Sequence, residues 1–139
     1  MPQNAQQVHR EFRLPLLVEP EELRWVRRIV GTHVRAWGLD AVMDDALEVV
    51  TELLTNVHRY AGGLALLVLR ACAHELRITV SDRSRALPVV REPDWEAQSG
   101  RGMLLVAALT DWWRAELTAT GKDVCCGLSL LDAGRGPES

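Results

Sequence analysis

The chain has 139 residues, 47% of them hydrophobic, and its 16 Lys and Arg against 19 Asp and Glu leave a net charge of −3. That length carries one domain with a real core and excludes two of ordinary size. The small net charge and dispersed basic residues exclude an electrostatic footprint for nucleic acid, and no apolar run is long enough to span a membrane.

Residues 1–10 are polar and lack the apolar stretch of a signal peptide, so a cytoplasmic location and a flexible N-terminal tail are expected. Residues 11–17 (EFRLPLL) alternate as a strand does, and Pro15 assigns that strand to a sheet edge. Pro20 opens a helix whose positive end suits Glu21 and Glu22; Leu23, Val26, Val30, His33, Val34 and Trp37 form its buried stripe, and Gly38 ends it. Arg24, Arg27 and Arg28 fall on the solvated side of the same helix. A second helix is capped by Asp40, runs to about Tyr60 and closes at Gly62-Gly63, with Leu47, Val50, Leu54, Val57 and Ala61 as its core face.

Residues 64–73 and 75–82 follow as two strands around a tight turn, the second alternating Leu76, Ile78 and Val80 with Arg77 and Thr79. From 83 to 99 the periodicity stops, and Pro88 and Pro93 appear; so long a connection in a small domain suggests a functional lid or disorder. GRGMLLVAAL (100–109) is a glycine-led helix. Residues 112–119 and 123–131 form a closing hairpin around Thr120-Gly121-Lys122, and 132–139 is expected to be a flexible tail after a single domain at 11–131. Trp112 and Trp113 are adjacent on a strand, so one ring faces the core and the other the opposite side of the sheet; Trp95 reads as a lid-packing anchor. Cys125 and Cys126 likewise point to opposite faces, and with the remote Cys72 they read as small buried hydrophobes; the four histidines have no metal-ligand spacing. The order strand, helix, helix, two strands, loop, helix, two strands predicts an α+β two-layer sandwich, its antiparallel or mixed sheet covered on one face by helices.

Three polar elements interrupt these apolar segments: Glu52 with Asn56, one helical turn apart in TELLTNVHRYA; Asp82 in VSDRS; and Gly100-Arg101-Gly102 in GRGMLLV. Taken singly, each has an ordinary reading. A buried Glu or Asn is often hydrogen-bonded to a loop, Asp82 can be a turn former, and the glycines can end a loop. Taken in order, with the long connection between the last two, they resemble the N, G1 and G2 boxes of the GHKL (Bergerat-fold) ATPases. Within that superfamily the chain is similar to the bacterial anti-sigma-factor serine/threonine kinases, with WWRAEL and GKDVCCGLSL as the closing hairpin.

The resemblance implies a histidine-kinase-like ATPase fold with a mixed sheet, binding ATP and Mg²⁺. It implies Asn56 as the metal ligand, Glu52 as the general base, Asp82 as acceptor for the adenine amino group, and Gly100, Arg101 and Gly102 beside the phosphates, with Thr55 and Arg59 nearby. It also implies a homodimer that binds a sigma factor and phosphorylates a small antagonist of the STAS type, without direct contact to nucleic acid or membrane. The sequence departs from the superfamily in having Arg83-Ser84-Arg85-Ala86 after Asp82, where x-Gly-x-Gly is usual. A catalytically idle, ATP-sensing binding module is the alternative, and an ATP-binding domain with an unrelated partner is a third reading.

Overall fold

Proline at position 15 removes one ladder hydrogen bond, and the strand that carries it lies at the edge of the sheet. The computed structural model describes residues 7–88 and 101–131, the side chain of Arg101 excepted. In it β1 (Val8–Leu17) pairs with β2 (Leu64–Cys72), and β2 with β3 (Glu75–Asp82). β5 (Lys122–Ser129) then lies between β3 and β4 (Trp112–Leu117), giving the order β1-β2-β3-β5-β4. Every pairing is antiparallel. The mixed sheet expected above is thus antiparallel at each ladder, because β5 inserts between β3 and β4, the two strands that the third helix connects.

Residues 20–22 form a single 3₁₀ turn, with Pro20 first and Glu21 and Glu22 behind it, and lead into α1 (Leu23–Ala36). Its Val26, Val30 and Val34 are fully buried, Leu23 and Trp37 pack at their margin, and the half-buried His33 meets Trp37 edge-on. His33 stacks on Phe12 of β1 at 3.9 Å between ring centroids, which seats α1 on the sheet. Gly38, at φ 76°, takes the left-handed conformation that ends the helix. Arg27 departs from the solvated face assigned to it: Nη1 donates to Thr51 Oγ1 at 2.8 Å and Leu47 O at 3.2 Å, bridging to the next helix with its stem half-buried.

α2 (Met43–Tyr60) follows a 3₁₀ turn at Asp40–Val42, and the Asp40 side chain makes no capping hydrogen bond. Its buried face comprises Ala46, Val49, Val50, Leu53, Leu54 and Val57, wider than the stripe read from the sequence. The helix is covered by the sheet, by α1 and by α3 (Arg101–Leu109), so residues flanking the expected stripe are also buried. Side chains from α1, α2, α3 and one face of the sheet, among them Leu67, Leu69, Ile78, Val80, Met103, Val106 and Cys126, form one core.

The opposite face of the sheet carries ion pairs, one across β1 and β2 and one along β3. Arg70 Nε donates to Glu11 at 2.8 Å, and Arg77 Nη2 to Glu75 at 2.8 Å. Trp113 packs against the core, while Trp112 lies on this other face with its Nε1 donating to Glu75 at 2.8 Å and Arg114 4.9 Å over its ring. Cys126 and Cys125 divide in the same way, and Thr79 Oγ1 donates to Cys125 Sγ at 3.1 Å. All three cysteines are buried and free. Trp95 and the expected tail at 132–139 lie outside the described residues, as does the lid beyond residue 88.

Candidate functional site

Glu52 and Asn56 stand four residues apart on α2, and both are half-buried. The start of α3 is brought against them. A Cβ placed on Gly102 would lie 2.9 Å from Glu52 Oε1, 3.4 Å from Asn56 Oδ1 and 3.8 Å from Asn56 Nδ2. Gly102 is itself buried, so the first turn of α3 presents bare backbone to the carboxylate and the amide. Two of the three polar elements of the sequence, separated by more than forty residues, therefore form one cluster. Gly100 and the Arg101 side chain lie outside the described residues. Thr55 is half-buried and Arg59 exposed toward the end of α2.

Asp82 closes β3 on its helix-facing side. β2 begins soon after α2 ends, and its Ala65 stands opposite Asp82, so the Asn56 end of α2 and the Asp82 end of β3 share one end of the sandwich. Asp82 is 9% exposed. Its Oδ1 accepts the Ser84 N–H at 2.8 Å, which makes the turn that follows, and Ala86 N–H donates to Ser84 Oγ at 3.2 Å. No non-glycine residue among those described has positive φ, so this turn forms without the glycines usual in the superfamily. The turn-forming role left open for Asp82 is thus real.

The structure adds a residue that sequence reading missed. Lys122 stands opposite Asp82 in the β3–β5 ladder, and its Nζ lies 3.0 Å from each carboxylate oxygen. Lys122 is 6% exposed. Its position at the foot of a hairpin gave no sequence signal, since a lysine beside a turn is ordinarily solvated. Gly121 before it is required by packing: a Cβ there would run into the Asp82 carbonyl oxygen and come 2.6 Å from Arg83 Cα. Arg85 Nη1 also donates to the Thr118 carbonyl, tying the segment after Asp82 to the hairpin.

These residues suit a magnesium nucleotide. Asn56 Oδ1 and the Glu52 carboxylate are hard oxygen donors, the type Mg²⁺ prefers, and Gly102 leaves the close approach that a side chain would fill. Among the described residues no three His, Cys, Asp or Glu side chains converge on a metal position. Most ligands of such an ion would then come from phosphate oxygens and water. A hollow bordered by Glu75, Arg77, Trp112 and Arg114 lies on the opposite face of the sheet and is no part of this cluster.

A helix-covered antiparallel sheet, with an Asn-bearing helix against a glycine-led one and an aspartate ending the strand between, defines a nucleotide-binding ATPase domain of the GHKL kind. The chain belongs to the histidine kinase-like ATPase domain family, whose model matches residues 16–127. It is similar in structure to the RsbU and RsbW domains of Rv1364c from Mycobacterium tuberculosis, with a TM-score of 0.63 and 17% identity over 86% of this chain. The chain spans 32% of that one's length, and the likeness is one of fold. No curated protein matches it.

Proposed function

We propose that this domain is an ATP- and Mg²⁺-dependent serine/threonine protein kinase that phosphorylates a small anti-sigma antagonist and, as a cytoplasmic homodimer, sequesters a sigma factor. The observation that carries the reading is the contact of Gly102 with Glu52 and Asn56, which puts a carboxylate, an amide oxygen and an open helix start in one place. Membership of the histidine kinase-like ATPase family supports the nucleotide, and the RsbW domain named in the structural relative supports the anti-sigma setting. No described helix is long and apolar enough to cross a membrane.

Bound Mg²⁺ would supply charge neutralisation on the triphosphate. Asn56 would hold it through Oδ1, the first amides of α3 at Gly102 would take the phosphates, and the family resemblance assigns Gly100 and Arg101 to the same role. Asp82 accepts a hydrogen bond from the adenine amino group, which guanine lacks at that position. Glu52 orients the incoming serine or threonine hydroxyl and takes its proton, general-base work worth about 10²–10⁴-fold in rate. Thr55 and Arg59 border the same helix face.

The second reading, a catalytically idle ATP-sensing module, is favoured by one observation: the Asp82 carboxylate already has a charged partner. Transfer of label from γ-labelled ATP to the antagonist separates the two. As a kinase, the wild type labels the antagonist and Glu52→Gln does so at least about 10²-fold more slowly while still binding ATP. An idle module gives the same negligible transfer from both proteins.

A further inference from the structure

Asp82 and Lys122 form a buried ion pair in the place where a nucleotide base would be read. Nζ is equidistant from the two carboxylate oxygens at 3.0 Å, and the side chains of Lys122 and Asp82 are 8% and 3% exposed. The ammonium reaches one further acceptor, Ser84 O, at 3.4 Å. Oδ1 also holds the Ser84 N–H at 2.8 Å. A carboxylate has about four acceptor positions. Three of them are thus taken by neighbours within the chain, and among the described residues no buried side-chain nitrogen or oxygen lacks a partner.

We infer that Lys122 is an internal competitor for the base-reading carboxylate: it caps both oxygens of Asp82 in the free protein, so a nucleotide amino group must share Oδ2 with the ammonium or displace it. The inference rests on the ATP-site reading above. An exocyclic amino group is a neutral donor, whereas the ammonium is a charged one, and charge-assisted hydrogen bonds are roughly twice as strong as neutral ones. Exchanging one for the other is therefore uphill, and Lys122 holds nucleotide affinity below what an uncapped aspartate would give. The cap is fixed in place from both sides. Lys122 begins β5 directly after the glycine that packs on the Asp82 backbone, and the Ser84-Arg85 segment is tied to Lys122 Nζ and to the Thr118 carbonyl. Lys122 is thus a specificity- and affinity-setting residue, where an apolar or hydroxyl side chain would leave the carboxylate open to the base.

Calorimetric titration of the full chain with ATP and Mg²⁺ tests this on three variants. Lys122→Gln keeps an N–H donor for Asp82 and removes the charge, so it should fold normally and bind ATP at least about fivefold more tightly than wild type. Lys122→Arg keeps the charge and should show no gain. Lys122→Met leaves Asp82 without its partner and should lower the melting temperature, with ATP restoring more of it than in wild type. If wild type binds ATP and folded Lys122→Gln binds it equally or more weakly, Lys122 is no competitor and the inference falls while the ATP site stands. If wild type and every folded variant fail to bind ATP, the ATP-site reading falls and takes the inference with it.

Discussion

Gly102 and Glu52 meet so closely that a Cβ on the glycine would lie 2.9 Å from the carboxylate Oε1. Alanine at 102 would push the ends of two flexible side chains, Glu52 and Asn56, rather than backbone. Alanine also favours a helix over glycine by roughly 0.5–1 kcal/mol, which offsets the crowding. Gly102→Ala should therefore leave the melting temperature nearly unchanged while weakening ATP binding by about tenfold or more. Thermal melts and calorimetry on the same sample check both halves.

The opposite pattern is expected on the other face of the sheet. A Cβ on Gly127 would run into Trp112 Nε1 and come 2.6 Å from Glu75 Oε1, the acceptor of the indole N–H. Gly127→Ala must displace the indole, so it should cost about 1–3 kcal/mol in chemical denaturation and leave ATP binding intact. Loss of ATP binding by the folded variant would show that the two faces are coupled.

Burial pushes the Cys126 thiol up to about 12 from its ordinary value of 9.0, with Cys125 and Glu75 adding to the rise. Burial also raises the Cys72 thiol. An unfolded thiol ionises near its ordinary value, whereas folded Cys126 stays protonated well above it. Its contribution to stability is thus complete below about pH 9 and is lost as pH rises toward about 12. Alkylation by iodoacetamide at pH 8 should be slow for Cys126 in the folded protein and fast in denaturant. Equal rates in the two states would contradict the burial.

Much of this was legible in the sequence because burial follows period. The Val26, Val30 and Val34 stripe, the alternation along β3 and the opposed faces of Trp112 and Trp113 all follow from 3.6- or 2-residue repeats. Glu52, Asn56 and Gly102 were legible as polar or glycine breaks in apolar runs, and the structure brings them together. Long-range register was not legible. Arg27 reaches α2 twenty-four residues away at Thr51, and Lys122 meets Asp82 across forty, so nothing local to either residue announces its partner. Asp40 shows the reverse case, a good capping residue that goes unused because a 3₁₀ turn, rather than the α-helix itself, begins there.

Titration of the wild-type chain with ATP and with GTP, each with and without Mg²⁺, decides whether the Asn56–Asp82 end of the sandwich is an adenine nucleotide site. Mg²⁺-dependent binding of ATP in clear preference to GTP is expected if, as proposed, Asn56 is a metal ligand and Asp82 accepts from the adenine 6-amino group, where guanine has an oxygen. Equal affinity for the two nucleotides, or binding of neither, would contradict it.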